Sequence, residues 1–84
     1  MAEDRILIEF YRDRGGPARE LDVPADITAQ DLVRALNEAY HLGMNPANPR
    51  EFHLQAEEPI ALLRGKRTLK EIGLHDASRI YYAG

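Results

Sequence analysis

Apolar and polar residues alternate from Ile6 to Tyr11, with Ile6, Ile8 and Phe10 on one side and Leu7, Glu9 and Tyr11 on the other. A period of two is the mark of a strand that lays one face on a core. The segment RDRGGP that follows reads as a turn: its paired glycines supply the positive φ a hairpin needs, and Pro17 fixes the exit. A return strand is predicted over Ala18–Val23, with Leu21 and Val23 on a shared face. The period then changes. In ITAQDLVRALNEAYHLG, the residues Ala29, Leu32, Val33, Leu36 and Tyr40 recur at helical spacing. Thr28 is a suitable N-cap, Asp31 places a negative charge in the first turn, Ile27 and Leu32 occupy hydrophobic-staple positions, and Gly43 is the predicted residue that ends the helix.

The segment MNPANPR cannot extend that helix, because Pro46 and Pro49 lack an amide donor and restrict the residue before them. A third strand is predicted over Glu51–Ala56, with Phe52 and Leu54 inward and His53 and Gln55 outward, and a short fourth over Ile60–Leu63. Thr68 and Glu71 then have the spacing of a capping box, and Gly73 closes a short helix. HDAS makes a last turn before a strand over Arg79–Tyr82, with Ile80 and Tyr82 inward. The order is strand, strand, long helix, strand, short strand, short helix, strand. It describes one domain over residues 1–84 of the α+β class, a roll in which a long helix crosses a mixed four- to five-stranded sheet.

Composition narrows what such a domain can do. With 11 Lys and Arg against 14 Asp and Glu, the net charge of -3 gives no overall pull toward nucleic acid or anionic lipid. Arg64, Lys66, Arg67 and Lys70 form a local basic cluster able to meet an acidic partner, although a solvated turn explains it as well. Absence of cysteine excludes disulfides, a thiolate nucleophile and cysteine zinc sites. No apolar run reaches the length of a membrane span and MAEDRILIEF does not read as a signal peptide, so a cytoplasmic location is expected. GKRT fails as a phosphate loop, since Ile60 stands where the first glycine is needed and Arg67 where Ser or Thr is needed. His41, His53 and His75 are scattered without ligand spacing, and no nucleophile has a base beside it, so neither a metal site nor an enzyme is expected.

The element order, together with RGKRTLKEIGLHDASRIYYAG, resembles the ubiquitin-like β-grasp proteins. Within them it is most similar to the bacterial YukD/EsaB branch, on Glu58-Pro59, Leu62-Leu63, Gly65, Thr68-Leu69 and Gly73-Leu74. The resemblance implies three settings: an accessory role in type VII secretion; a modifier attached through its C-terminal carboxylate by activating and conjugating enzymes, with JAB-type peptidases nearby; or a small oxygenase subunit. A fold alone does not choose among them.

For the modifier, Ala83 and Gly84 would be the conjugation site, because a terminal glycine threads a narrow adenylation channel that a Cβ would block, ATP being used by the activating enzyme. Ubiquitin and its relatives among the sulfur carriers end in Gly-Gly, whereas Ala83 precedes Gly84 here. Lys66 and Lys70 are the only lysines, which would restrict linkage of chains. For a non-covalent adaptor, the exposed sheet face would bind the partner through Leu7, His53, Gln55 and Tyr81, with Arg64, Lys66 and Arg67 as a second, basic contact.

Overall fold

A computed structural model describes residues 4–13, 15–48, 50, 52–57 and 60–82. The elements are β1 (Arg5–Tyr11), β2 (Ala18–Pro24), α1 (Ala29–Tyr40), β3 (Leu54–Glu57), β4 (Ala61–Leu63), α2 (Leu69–Ile72) and β5 (Arg79–Tyr81). They build a 5-stranded sheet in the order β2-β1-β5-β3-β4. The β1–β2 hairpin and the β3–β4 and β3–β5 pairs are antiparallel, whereas β5 lies parallel to β1. The sheet is mixed and α1 packs across one face, the α+β roll expected from the order of periods.

The alternation in β1 puts Ile8 and Phe10 wholly inside, with Ile6 at the margin. From α1 the stripe Ala29, Leu32, Val33 and Leu36 meets them, and Tyr40 sets its ring 5.1 Å from that of Phe10. Leu54, Ala56, Leu63, Leu69 and Ile80 complete the core from the remaining elements.

Both helices start in the same way and hold each other. Thr28 Oγ1 accepts from Asp31 N–H at 3.1 Å, and Thr68 Oγ1 accepts from Glu71 N–H at 3.1 Å. These two caps face one another in an antiparallel bridge. Across it Ala29 N–H donates to Arg67 O and Gln30 N–H to Gly65 O, while Leu69 N–H donates to Ile27 O and Lys70 N–H to Ala25 O. The amides of Ala29, Gln30 and Asp31 in α1, and of Thr68, Leu69, Lys70 and Glu71 in α2, which an isolated helix would leave without partners, are therefore used. Helix α2, with only 4 residues, is too short to form by itself and depends on this clamp and on buried Leu69.

Glu71 completes the predicted capping box by accepting from Thr68 N–H at 2.9 Å. That bond, then the Thr68 hydroxyl and the Arg67 guanidinium, hold its carboxyl below the ordinary glutamate pKa. A carboxyl whose folded pKa is depressed stabilises the fold above its unfolded pKa and loses that contribution as pH falls through the folded one. The thermal unfolding midpoint is expected to drop on acidification through and below the ordinary glutamate range, and to drop less steeply in Glu71→Gln. Superimposable pH profiles for the two proteins would deny the capping box this role.

Beyond one-residue shifts at one end of β1, β2, β3 and β4, three boundaries differ from the sequence expectation. Helix α1 ends at His41 rather than running on to Gly43: His41 takes the left-handed conformation, φ 53°, and its N–H donates to Asn37 O. Histidine is among the residues that tolerate this region, so the first available stop is used and Gly43, φ 77°, makes a further bend. The connector after it is clipped to α1 by Asn37, whose side chain accepts from Met44 N–H at 2.9 Å and donates to Met44 O at 3.0 Å. Strand β3 begins at Leu54, so Phe52 and His53 precede it; Phe52 is nonetheless buried, reaching the core from the connector. Tyr82 falls just beyond β5 yet keeps its inward place, its hydroxyl donating to Leu42 O at 2.9 Å.

Candidate functional site

The face of the sheet turned away from α1 carries the residues that alternation points outward, and the strand registers align them in rows. One row runs Ala18, Tyr11, Tyr81, Gln55, Leu62 across all strands. The next runs Glu20, Glu9, Arg79, Glu57. Leu7 lies opposite Asp22, one step further along.

Within the first row the rings of Tyr11 and Tyr81 stack, 4.9 Å between centroids and 16° from parallel. Such stacking shields both rings, and Tyr81 is only 8% exposed although it lies on the outer face. Its phenol is surrounded by charge: the Glu57 carboxylate, accepting from it, and partial burial push its pKa up, and Arg79 opposes them. Arg79 is held in its charged form by the neighbouring Tyr11, by Tyr81 and by Glu9, whose Oε1 lies 3.8 Å from Arg79 Nε. Glu9 also accepts from the Tyr11 hydroxyl at 3.3 Å. Tyr11, Tyr81, Glu9, Arg79 and Glu57 thus form a polar and aromatic platform centred on β5, with Arg79 between two carboxylates and Tyr81 between Tyr11 and Gln55.

Large apolar side chains left open flank this platform. Leu7 is 44% exposed and Leu62 47%. Strand spacing puts them on the order of 20 Å apart. Leu7 and Tyr81, both expected on the binding face, stand in different rows, and Tyr81 is covered by Tyr11 rather than open. Gln55 is half-buried between Tyr81 and Leu62. His53 is half-buried ahead of β3 and belongs to none of these rows.

The basic cluster lies elsewhere. Arg64 and Gly65 line an open groove of about 560 Å³ with Gln30, Pro46 and Phe52, which is on the helix side. Arg67 is occupied locally, donating to Glu71 O at 3.1 Å, while its carbonyl takes part in the clamp; Lys66 is exposed. The site residues expected from the sequence thus divide between two sides of the molecule. Ala83 and Gly84 lie outside the described residues, as do Glu51, Glu58 and Pro59.

Leu62, Tyr11, Glu57 and Arg79 were not among the binding residues expected on this face, although alternation in β1 turns Tyr11 toward it. Leu62 was within reach of it, since alternation against buried Leu63 turns it outward; the rows of the others depend on how β5 pairs, which is long-range. Among the described residues no group of three or more His, Asp or Glu could hold a metal ion, and no helix is long and apolar enough to cross a membrane.

A mixed sheet gripped by one helix, with the last strand central and parallel to the first, defines a ubiquitin-like β-grasp protein. Solved structures agree. The C-terminal ubiquitin-like domain of mouse tubulin-specific chaperone e superposes with TM-score 0.72 at 13% identity, covering 100% of this chain and 92% of that one. The UBL domain of Plasmodium falciparum Dsk2 gives 0.60 at 20%, covering 95% and 100%. An Arabidopsis thaliana ubiquitin-like domain gives 0.58 at 18%, covering 92% and 73%. At such identities the likeness concerns the fold. No curated protein matches the sequence. The family model described as "WXG100 protein secretion system (Wss), protein YukD" matches residues 5–81, and the chain belongs to that family.

Proposed function

We propose that this protein is a non-covalent adaptor of a WXG100-type secretion system, which docks on a component of that apparatus through the outer sheet face. The observation that carries this reading is the family match over residues 5–81. Leu7 and Leu62 supply apolar contacts on either side of a rigid platform, which costs little conformational entropy on binding. Glu9, Glu20, Asp22 and Glu57 outnumber Arg5 and Arg79 on that face, so the partner surface is one with basic groups around apolar side chains.

The covalent reading rests on Gly84 alone, and the two readings respond to different changes. Leu7→Glu with Leu62→Glu is expected to weaken capture of a purified secretion-system component encoded beside this gene by at least about tenfold, each substitution placing an unpaired carboxylate against the partner. Removal of Gly84 is expected to leave capture unchanged. Undiminished binding by the double variant would sink the adaptor reading. An adenylate or adduct through Gly84, formed with ATP and an activating enzyme encoded nearby, would replace it with the modifier.

A further inference from the structure

A sheet has two edges, and here they are unlike. Edge strand β4 is only 3 residues long, whereas β2 on the opposite edge has 7. Backbone parity shows which groups of β2 are open. Glu9 N–H donates to Ser78 O, and the carbonyls of Leu7 and Tyr11 accept from Ala77 and Tyr82, so the odd residues of β1 bond toward β5. Its even residues therefore bond toward β2, as Ala25 N–H donating to Asp4 O confirms at the strand's start. In the register Phe10↔Arg19, Ile8↔Leu21, Ile6↔Val23, this leaves the backbone groups of Ala18, Glu20, Asp22 and Pro24 facing outward.

One half of that edge is closed. Pro24 has no N–H and its carbonyl accepts from Ile27. The Asp22 carbonyl accepts from the Arg5 guanidinium at 3.1 Å, and Arg5 Nε holds the Asp22 carboxylate at 2.9 Å. The half nearer the hairpin turn is open: Ala18, Arg19 and Glu20 are all exposed, and the outward N–H and C=O of Ala18 and Glu20 have no partner among the described residues. Proteins commonly blunt edges with proline and charge, which is what happens at one end of β2 and not at the other.

Beside the open half lies a recess of about 170 Å³ between the hairpin and the end of α1, lined by Phe10, Pro17 and Tyr40, by Arg12 and Arg19, and by Asp13. Neither Arg12 nor Arg19 has an ion-pair partner among the described residues, in a chain whose net charge is -3. Two arginines against one aspartate leave the recess positive.

We propose that the hairpin half of β2 accepts an extended acidic segment of a partner chain as an added strand. The backbone of Ala18 and Glu20 supplies the hydrogen bonds. Side chains of the added strand alternate between the two faces: those on the helix side place carboxylates at Arg12 and Arg19 over Phe10 and Tyr40, and those on the outer side, next to Glu20, are neutral. The closed half at Asp22 and Pro24 limits the length of pairing. This contact is independent of the outer-face site, so its test needs no secretion component.

The test is titration of the isotopically labelled protein with a short peptide of alternating valine and glutamate. Expected are slowed exchange and shifted amide signals at Ala18 and Glu20, weakening by about tenfold or more in Arg12→Glu with Arg19→Glu, and loss of binding in Glu20→Pro, which deletes an outward donor without touching the β1 ladder. A valine–glutamine peptide, and one N-methylated at alternate backbone nitrogens, are expected to bind at least about tenfold more weakly. Equal binding of the N-methylated peptide would reduce the contact to anion capture by the arginines and overturn strand addition. Concentration-dependent shifts at β2 without any peptide would give the edge to a second copy of this chain, and no response at Ala18 and Glu20 at millimolar peptide would also end the proposal.

Discussion

Phe10→Ala is expected to cost about 3–5 kcal/mol of unfolding free energy, the range for deleting a fully buried aromatic. Phe10 has no exposed surface, sits on β1 between β2 and β5, and meets Tyr40 from the end of α1. Its removal takes away apolar burial and leaves a cavity that three strands and a helix cannot close, because their backbones are tied by the sheet ladders. Domains of this size have about 5–15 kcal/mol in total, so the variant is expected to approach or cross its unfolding midpoint under mild denaturant. Equilibrium urea unfolding measures it, with Phe10→Leu as the shape control expected to lose less than half as much. A loss below about 1 kcal/mol for alanine would mean that Phe10 is not packed as described.

Leu69→Ala is expected to cost about 2–5 kcal/mol, with a local signature that a general core defect lacks. Leu69 is the one fully buried residue of α2, and its N–H bonds Ile27 O in the clamp. Without that anchor α2 has too few residues to persist, and the carbonyls of Gly65 and Arg67 lose the position from which they accept Gln30 and Ala29 N–H. Hydrogen exchange should therefore accelerate at Ala29 and Gln30, although neither residue has been changed, and more than at Ile8 in the sheet. Uniform acceleration across sheet and helix would assign Leu69 to the general core instead.

How far the sequence revealed all this depended on the range of the interaction responsible. The starts of both helices were legible because capping is decided within four residues, and Thr28, Thr68 and Glu71 lie where they were expected. Inward faces were legible from period alone, as Ile8, Phe10 and Ile80 show. The end of α1 was not, because histidine competes with glycine for a left-handed stop and came earlier. Nor was the bonding of one helix start to the other, which joins segments far apart in sequence. On the outer face, alternation rightly turned Tyr81 outward but could not show the Tyr11 ring lying over it, since that contact depends on β5 inserting parallel to β1.

The mutual capping of the two helices also fixes an order of assembly. A chain emerging from the ribosome presents the β1–β2 hairpin and α1 well before residues 64–70, so the first amides of α1 remain without their carbonyl partners until most of the domain has been made. The hairpin can pair early from local contacts, whereas the grip of the helix on the sheet waits for closure of a long loop. Synthesis interrupted ahead of Thr68 would release a chain holding most of its apolar residues without Thr68, Leu69 and Lys70, which complete the lock that seats them.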